Sequence, residues 1–148
     1  GGRPCTCGRL GCFEAYSSAT GLINMTKEKM MDNVNSMMWD LAKNNIERVN
    51  GLTAFDAAKK GDKAGKEVVD MYIKYRACGL TNMINIFQPE VLCIGGGVCG
   101  EGNYLLKPLI KSVRRAEYGA ATQTNFCQIK IAELGNDAGI IGAAALGL

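Results

Sequence analysis

The chain has 148 residues, of which 47% are hydrophobic and 21% charged, and its net charge is +3. This is the balance of an ordinary soluble globular protein, with room for one domain whose core buries about 70% of the surface that the unfolded chain exposes. The charge is too mild to argue for nucleic acid or membrane as a partner, and no run approaches the roughly 20 apolar residues that a bilayer-spanning helix needs. Seven cysteines, an odd number, read as reduced thiols rather than a disulfide framework, which favours the cytoplasm. The chain opens on Gly1-Gly2 and its first methionine is Met25, so it reads as the C-terminal half of a longer protein.

Near the start, Cys5, Cys7 and Cys12 place three thiols within eight residues, separated by Gly8 and Gly11. Thiolates are soft ligands that suit Zn²⁺ at about 2.3 Å in a tetrahedral site, and the glycines allow turns tight enough to aim the sulfurs inward. The bland alternatives are three reduced cysteines in a surface loop, or a disulfide between two of them. Residues 13–19 then suit a short helix that Gly21 ends. Glu14 stands two residues after the last thiol, where a rigid loop would fix the direction of its carboxylate.

From Thr26 to Arg48 the spacing of Met30, Val34, Met37, Met38 and Leu41 predicts one amphipathic helix, with Lys27, Lys29, Lys43 and Arg48 solvated. A short helix follows, with Thr53 as its N-cap and Gly61 as its stop. Asp62 caps the next, a long helix from about Lys63 to Phe87 with Gly65 and Gly79 allowing close approach and Cys78 as a small buried hydrophobe. Pro89 stops it. Glu90 to Ile94 reads as a strand buried on both faces, followed at once by Gly95, Gly96 and Gly97 and then by a helix over roughly Asn103 to Glu117.

A strand that ends in glycines before a helix is a common place for backbone to approach a nucleotide. A tight ligand-free turn is the competing reading, since the run is neither a Walker A loop nor a dinucleotide fingerprint. Cys93 and Cys99 are assigned to packing or incidental exposure, and Arg114 and Arg115 to a solvated helix face. Cys127 to Ala132 predicts a second strand, completing a βαβ unit with parallel strands. The last helix, Ile140 to Leu146, takes Asn136 or Asp137 as its cap.

The pattern C-x-C-G-x-x-G-C-x-E, running from Cys5 to Glu14, resembles the zinc motif of the ROK family, which contains bacterial sugar kinases such as glucokinase and sugar-responsive transcriptional repressors. The run from Gln88 to Val98 is similar to the adenosine-side segment of the same kinases and of the wider actin-like ATPase superfamily. The resemblance implies an α/β fold, the C-terminal lobe of an actin-like (ribonuclease H-like) ATPase with a zinc-binding loop and a βαβ unit. Residues 1–22 would form the zinc loop and first helix, 23–87 a helical region, and 88–148 the nucleotide-side βαβ unit and final helix.

By the same resemblance Cys5, Cys7 and Cys12 hold a structural Zn²⁺, Glu14 contacts sugar hydroxyls, and Gly95, Gly96 and Gly97 contact the nucleotide of Mg-ATP. The family's fourth zinc ligand is a histidine upstream of the first cysteine; this chain has no histidine, and four residues precede Cys5. The catalytic aspartate is likewise expected upstream, so the chain alone is expected to be inactive. The implied reaction is transfer of the γ-phosphate of ATP to a hexose or N-acetylated amino sugar, by a cytoplasmic homodimer. The alternative is a sugar-responsive repressor with an upstream helix-turn-helix, and only that reading gives it nucleic acid as a partner.

Overall fold

The computed structural model describes residues 1–122 and 126–146, which form two compact units, Gly1–Gly79 and Leu80–Leu148. The first is helical. It holds α1 (Glu14–Ser17), α2 (Ala19–Asp32), α3 (Met37–Leu41), α4 (Thr53–Lys59) and the first part of α5 (Lys63–Phe87), whose remainder belongs to the second unit. Leu22, Met30, Met38, Phe55 and Tyr72 form its fully buried centre, with the Phe55 and Tyr72 rings edge to face at 6.4 Å. Gly65 is required by this packing, because a Cβ there would stand 2.8 Å from that of Ala57.

Helix boundaries follow local side-chain chemistry. Gly21 does not end the first helix; the break comes earlier, where Ser18 turns extended and its hydroxyl accepts a hydrogen bond from the Gly21 amide at 3.0 Å, starting α2. Nor is there one helix from Thr26 to Arg48. The Asn33 side chain donates to the Lys29 carbonyl at 2.8 Å and closes α2, Ser36 accepts from the Met38 amide at 3.2 Å and opens α3, and Val34 is left 73% exposed in the turn. Short polar side chains that bond their own backbone compete with the helix in this way. The Trp39 indole then donates to the Met30 carbonyl, tying the two pieces together.

Thr53 is the first residue of α4 and not its cap: its buried hydroxyl accepts from the Asn50 amide, and Asn50 Oδ1 organises the turn by accepting from the Leu52 amide. Gly61, at φ +92°, does stop this helix, with its amide on the Ala58 carbonyl and that of Asp62 on the Ala57 carbonyl. Asp62 caps α5 through the Gly65 amide at 2.6 Å. Cys78 is exposed, contrary to the buried position expected of it, because its neighbours Ala77 and Gly79 take the inward face of α5.

The second unit carries a parallel pair, β1 (Val91–Ile94) and β2 (Gln128–Ile131), in the register Val91 with Gln128 through Ile94 with Ile131. Between them run a 3₁₀ turn at Gly97–Glu101 and α6 (Asn103–Arg114), so the βαβ unit is present. The face of α6 formed by Leu105, Leu109 and Val113 is fully buried, and the helix packs against β2. Strand β1 is not covered on both faces: Ile94 is buried while Val91 and Cys93 are exposed, the alternation of a strand with one face packed.

Helix α6 ends at Arg114, three residues short of the expected Glu117, since the chain turns back there to make an ion pair. Arg114 is therefore no solvated residue. It forks onto both oxygens of the buried Glu117 at 2.7 and 2.6 Å, donates to the Cys127 carbonyl and lies 4.8 Å from the Phe126 ring centre. The last helix, α7, spans Ala138–Ala145, and Asp137 makes no side-chain capping bond to it; the side chain of Asn136 lies outside what the structure describes. Among the described residues no helix is long and apolar enough to cross a membrane.

Candidate functional site

The three cysteines converge. Residues Pro4 and Leu10 pair as an antiparallel bridge, and within it the Cys5 amide donates to the Arg9 carbonyl and the Gly8 amide to the Cys5 carbonyl, each at 2.9 Å. Gly8 at φ +84° and Gly11 at φ +77° supply the two left-handed residues that the hairpin needs. The outcome is a knuckle in which the sulfurs of Cys5, Cys7 and Cys12 all lie within 4.8 Å of one another. Among the described residues, this is the one group of three or more cysteine, aspartate or glutamate ligands so gathered.

The donor set fits a soft divalent ion such as Zn²⁺. Cys7 and Cys12 stand 3.6 Å apart, sulfur to sulfur. The Arg9 amide and the neighbouring thiols donate to Cys7 and pull its pKa below the ordinary thiol value, as a metal-binding thiolate needs. Cys12 holds the proton in its contact with Cys7, and its pKa is pushed up to about 11. A cation bound among the sulfurs would reverse that, since a coordinating thiol is deprotonated.

Glu14, the first residue of α1, is exposed, and its Oε2 accepts from the Cys5 thiol at 3.4 Å. The loop runs into the helix through the Cys12 carbonyl, which accepts the Ala15 amide at 3.0 Å. Cysteines and carboxylate therefore form one constellation, as their spacing predicts.

Four further residues hold this loop in place, and the sequence pattern does not reveal them. Arg3 forks onto Glu28 of α2 with two bonds of 2.6 Å, and its amide donates to the Tyr16 hydroxyl at 2.8 Å; the Tyr16 ring in turn stands edge-on to Tyr75 of α5 at 4.9 Å. Nothing in the spacing of positions 3, 16, 28 and 75 links them. They meet only once α1, α2 and α5 are packed.

In the second unit the glycines directly follow the carboxyl end of β1. Gly96 has φ +96°, a conformation open to glycine, and all three are exposed. The turn is locked from behind: the buried Cys99 thiol donates to the Gly95 carbonyl at 3.2 Å, and the Cys99 amide to the Gly96 carbonyl at 2.9 Å. On the outer side a Cβ at Gly96 or Gly97 would meet no atom within 4 Å, so the main chain there is open. Cys93, on β1, is exposed and makes no part of this turn.

A cleft of about 760 Å³ lies at the other end of the strands, lined by Asn85, Gln88, Glu90, Glu117 and Phe126 among others. Two of its polar side chains are already engaged. Asn85 Oδ1 accepts the Tyr118 amide, and Glu117 is paired with Arg114. Ligands of parallel sheets bind beyond the carboxyl ends of the strands, which is the glycine end.

A parallel βαβ unit whose first strand ends on an exposed glycine turn, joined in one chain to a cysteine knuckle beside an acidic residue, defines an α/β protein. The comparison with known proteins makes this specific. The chain belongs to the ROK family, whose match spans residues 1–148.

It is 35% identical over 147 residues to a glucokinase of Halalkalibacterium halodurans, covering 99% of this chain and 43% of that protein. A ROK family glucokinase from Streptomyces griseus, solved in complex with glucose and AMPPNP, superposes with a TM-score of 0.86 at 30% identity, over 98% of this chain and 47% of that one. A xylose repressor of Caldicellulosiruptor bescii is 24% identical over 144 residues, covering 96% of this chain and 35% of the repressor. The chain thus spans less than half the length of each of these relatives.

Proposed function

We propose that the chain is the C-terminal lobe of an actin-like, ATP-dependent hexose kinase that transfers the γ-phosphate of ATP to a sugar hydroxyl. The observation that carries this reading is the constellation of Cys5, Cys7, Cys12 and Glu14, in which a metal knuckle ends on the helix turn that presents a carboxylate to solvent. Similarity over nearly the whole of this chain to part of a glucokinase, and to part of a glucokinase structure holding glucose and a nucleotide analogue, supports it.

Each residue has a part in this scheme. Glu14 accepts hydrogen bonds from the hydroxyls of a hexose or N-acetylated amino sugar and fixes its orientation. Cys5, Cys7 and Cys12 are the ligands for Zn²⁺, whose chemistry here is structural: it cross-links the loop and supplies no reacting group. Gly95, Gly96 and Gly97 offer main chain to the adenosine side of Mg-ATP, where any side chain would intrude. The base that takes the proton from the attacking hydroxyl is assigned to the part of the relatives' length that this chain does not span. In phosphoryl transfer the protein mostly positions groups and neutralises charge, so orienting the acceptor is itself catalytic work. The assembly is taken to be a cytoplasmic homodimer.

The repressor reading is the competitor: a xylose repressor also matches, at 24% identity against 35% for the glucokinase. Both readings are tested by expressing the protein encoded by the whole coding region and measuring ADP release with a panel of hexoses and N-acetylated amino sugars. Sugar-dependent ADP release is the expected result. Sugar-sensitive DNA binding without ADP release would replace the kinase by the repressor.

A further inference from the structure

We infer that Cys7 and Cys12 are an oxidation site, at which a peroxide closes the pair into an intrachain disulfide and takes the metal knuckle apart. The two sulfurs stand 3.6 Å apart, about 1.5 Å more than a disulfide bond requires. Their separation lies within a loop that can yield: Gly8 and Gly11 flank the intervening segment, both at positive φ, and a Cβ on Gly8 would meet nothing within 4 Å. Cys7 is exposed to a dissolved oxidant, and Cys12 is partly exposed beside it. An accessible thiol with a second thiol poised to resolve it is the arrangement of reversible redox cysteines.

Cys5 belongs to the same cluster and also faces Glu14, but the sulfurs in direct contact are those of Cys7 and Cys12. Cys78 on α5 and Cys93 on β1 are also exposed, but neither belongs to the cluster, so neither has the local resolving partner that Cys7 has. Cys99 and Cys127 are buried.

The chemistry balances with hydrogen peroxide as the oxidant. The Cys7 sulfur attacks the peroxide O–O bond, becoming a sulfenic acid as the first water leaves. The Cys12 sulfur then attacks the Cys7 sulfur, forming the S–S bond as the hydroxyl departs with the Cys12 proton as a second water. Two thiols have lost two electrons and two protons, and one peroxide has become two waters. Cys5 is left as a single sulfur of the original three, so oxidation and metal binding exclude each other.

The test uses the chain as it stands, stripped of metal, treated with equimolar hydrogen peroxide and then with an alkylating reagent. Trypsin cleaves after Arg9 and Lys27 and so separates Cys7 from Cys12, into peptides 1–9 and 10–27. Only a disulfide holds these two peptides together. The expected result is, before alkylation, an intact mass lower by about 2 Da and loss of Zn²⁺ binding, read with a chromogenic indicator, in proportion to the link, both reversed by dithiothreitol, and, after alkylation and digestion, the linked pair. Cys5→Ser keeps the link, whereas Cys12→Ser abolishes it and leaves oxygen adducts on Cys7. Oxygen addition to the parent chain without a link, a link lost in Cys5→Ser, or full Zn²⁺ capacity in the linked protein would each overturn the inference. None of these readouts depends on the chain being part of a kinase.

Discussion

Asp62 joins three helices that no periodicity connects. It follows the stop of α4, its carboxylate accepts from the Gly65 amide to cap α5, and the same carboxylate accepts from the Met37 amide at 2.8 Å and the Ser36 hydroxyl at 3.1 Å at the start of α3. Burial alone would raise its pKa, but the donors at Gly65, Met37 and Ser36 outweigh burial and hold it below the ordinary carboxylate value. The sign for stability follows: a depressed folded pKa contributes stability that is fully present above the unfolded value and is lost as pH falls through the folded one. Asp62→Ala should therefore cost about 2 kcal/mol near neutral pH, as expected for losing caps on two helices, and its deficit against the parent should shrink below the usual aspartate range. Urea midpoints at several pH values check this; a deficit unchanged into acid would mean that the charge is not what Asp62 contributes. Glu14 has the opposite character, being exposed and spent on a single thiol. In the whole kinase, Glu14→Gln should raise the sugar KM by roughly 10- to 100-fold, the value of a hydrogen bond to a charged group, with the KM for ATP and the zinc content unchanged.

At the scale of elements, the sequence was most legible where one strong local signal acts alone. Helix α5 runs over Lys63–Phe87 as its apolar spacing, the Asp62 cap and Pro89 predict, and β1 and β2 pair in parallel as a βαβ unit must. It was least legible where a polar side chain chose between backbone partners. Apolar residues continue at helical spacing from Met30 to Leu41, yet Asn33 and Ser36 break the helix between them, and periodicity does not register that competition. Arg114 is the same lesson in charge: at the end of α6 it reads as solvated, but the turn after it brings back Glu117, which is 5% exposed and depends on that guanidinium. Removing one partner of a buried pair strands the other, and with Arg114 itself partly exposed, Arg114→Ala should cost about 2–3 kcal/mol. Arg115→Ala, one residue on and exposed, should change the urea midpoint little. Equal effects of the two would show that the pairing with Glu117 carries no stability. The glycine turn is stricter still: Gly96→Ala puts a side chain on a φ of +96° whatever the space around it, so weakened ATP binding in that variant should come with a small loss of stability.

For the whole molecule, each unit carries a candidate feature of its own, the knuckle and Glu14 in Gly1–Gly79 and the glycine turn in Leu80–Leu148. The cysteine cluster was legible because its members lie within eight residues of one another, whereas Arg3, Tyr16, Glu28 and Tyr75, which hold the loop, are brought together only by tertiary packing. A base for phosphoryl transfer would have to be a carboxylate free to take a proton, and six of the fourteen acidic residues are committed elsewhere. Glu28 is forked by Arg3, Glu47 and Glu67 are paired with Lys27 and Lys29, Asp70 with Lys66, Glu117 with Arg114, and Asp62 is spent on helix caps. Glu14 is exposed, and its place beside the thiols suits orienting a hydroxyl. The 148-residue chain by itself should therefore bind one Zn²⁺ and release no sugar-dependent ADP, while the protein from the whole coding region does release it. Measuring both side by side separates the roles: turnover by the short chain would place the base within these residues and make Glu14 the first residue to substitute, since its loss would then lower kcat and not only raise KM.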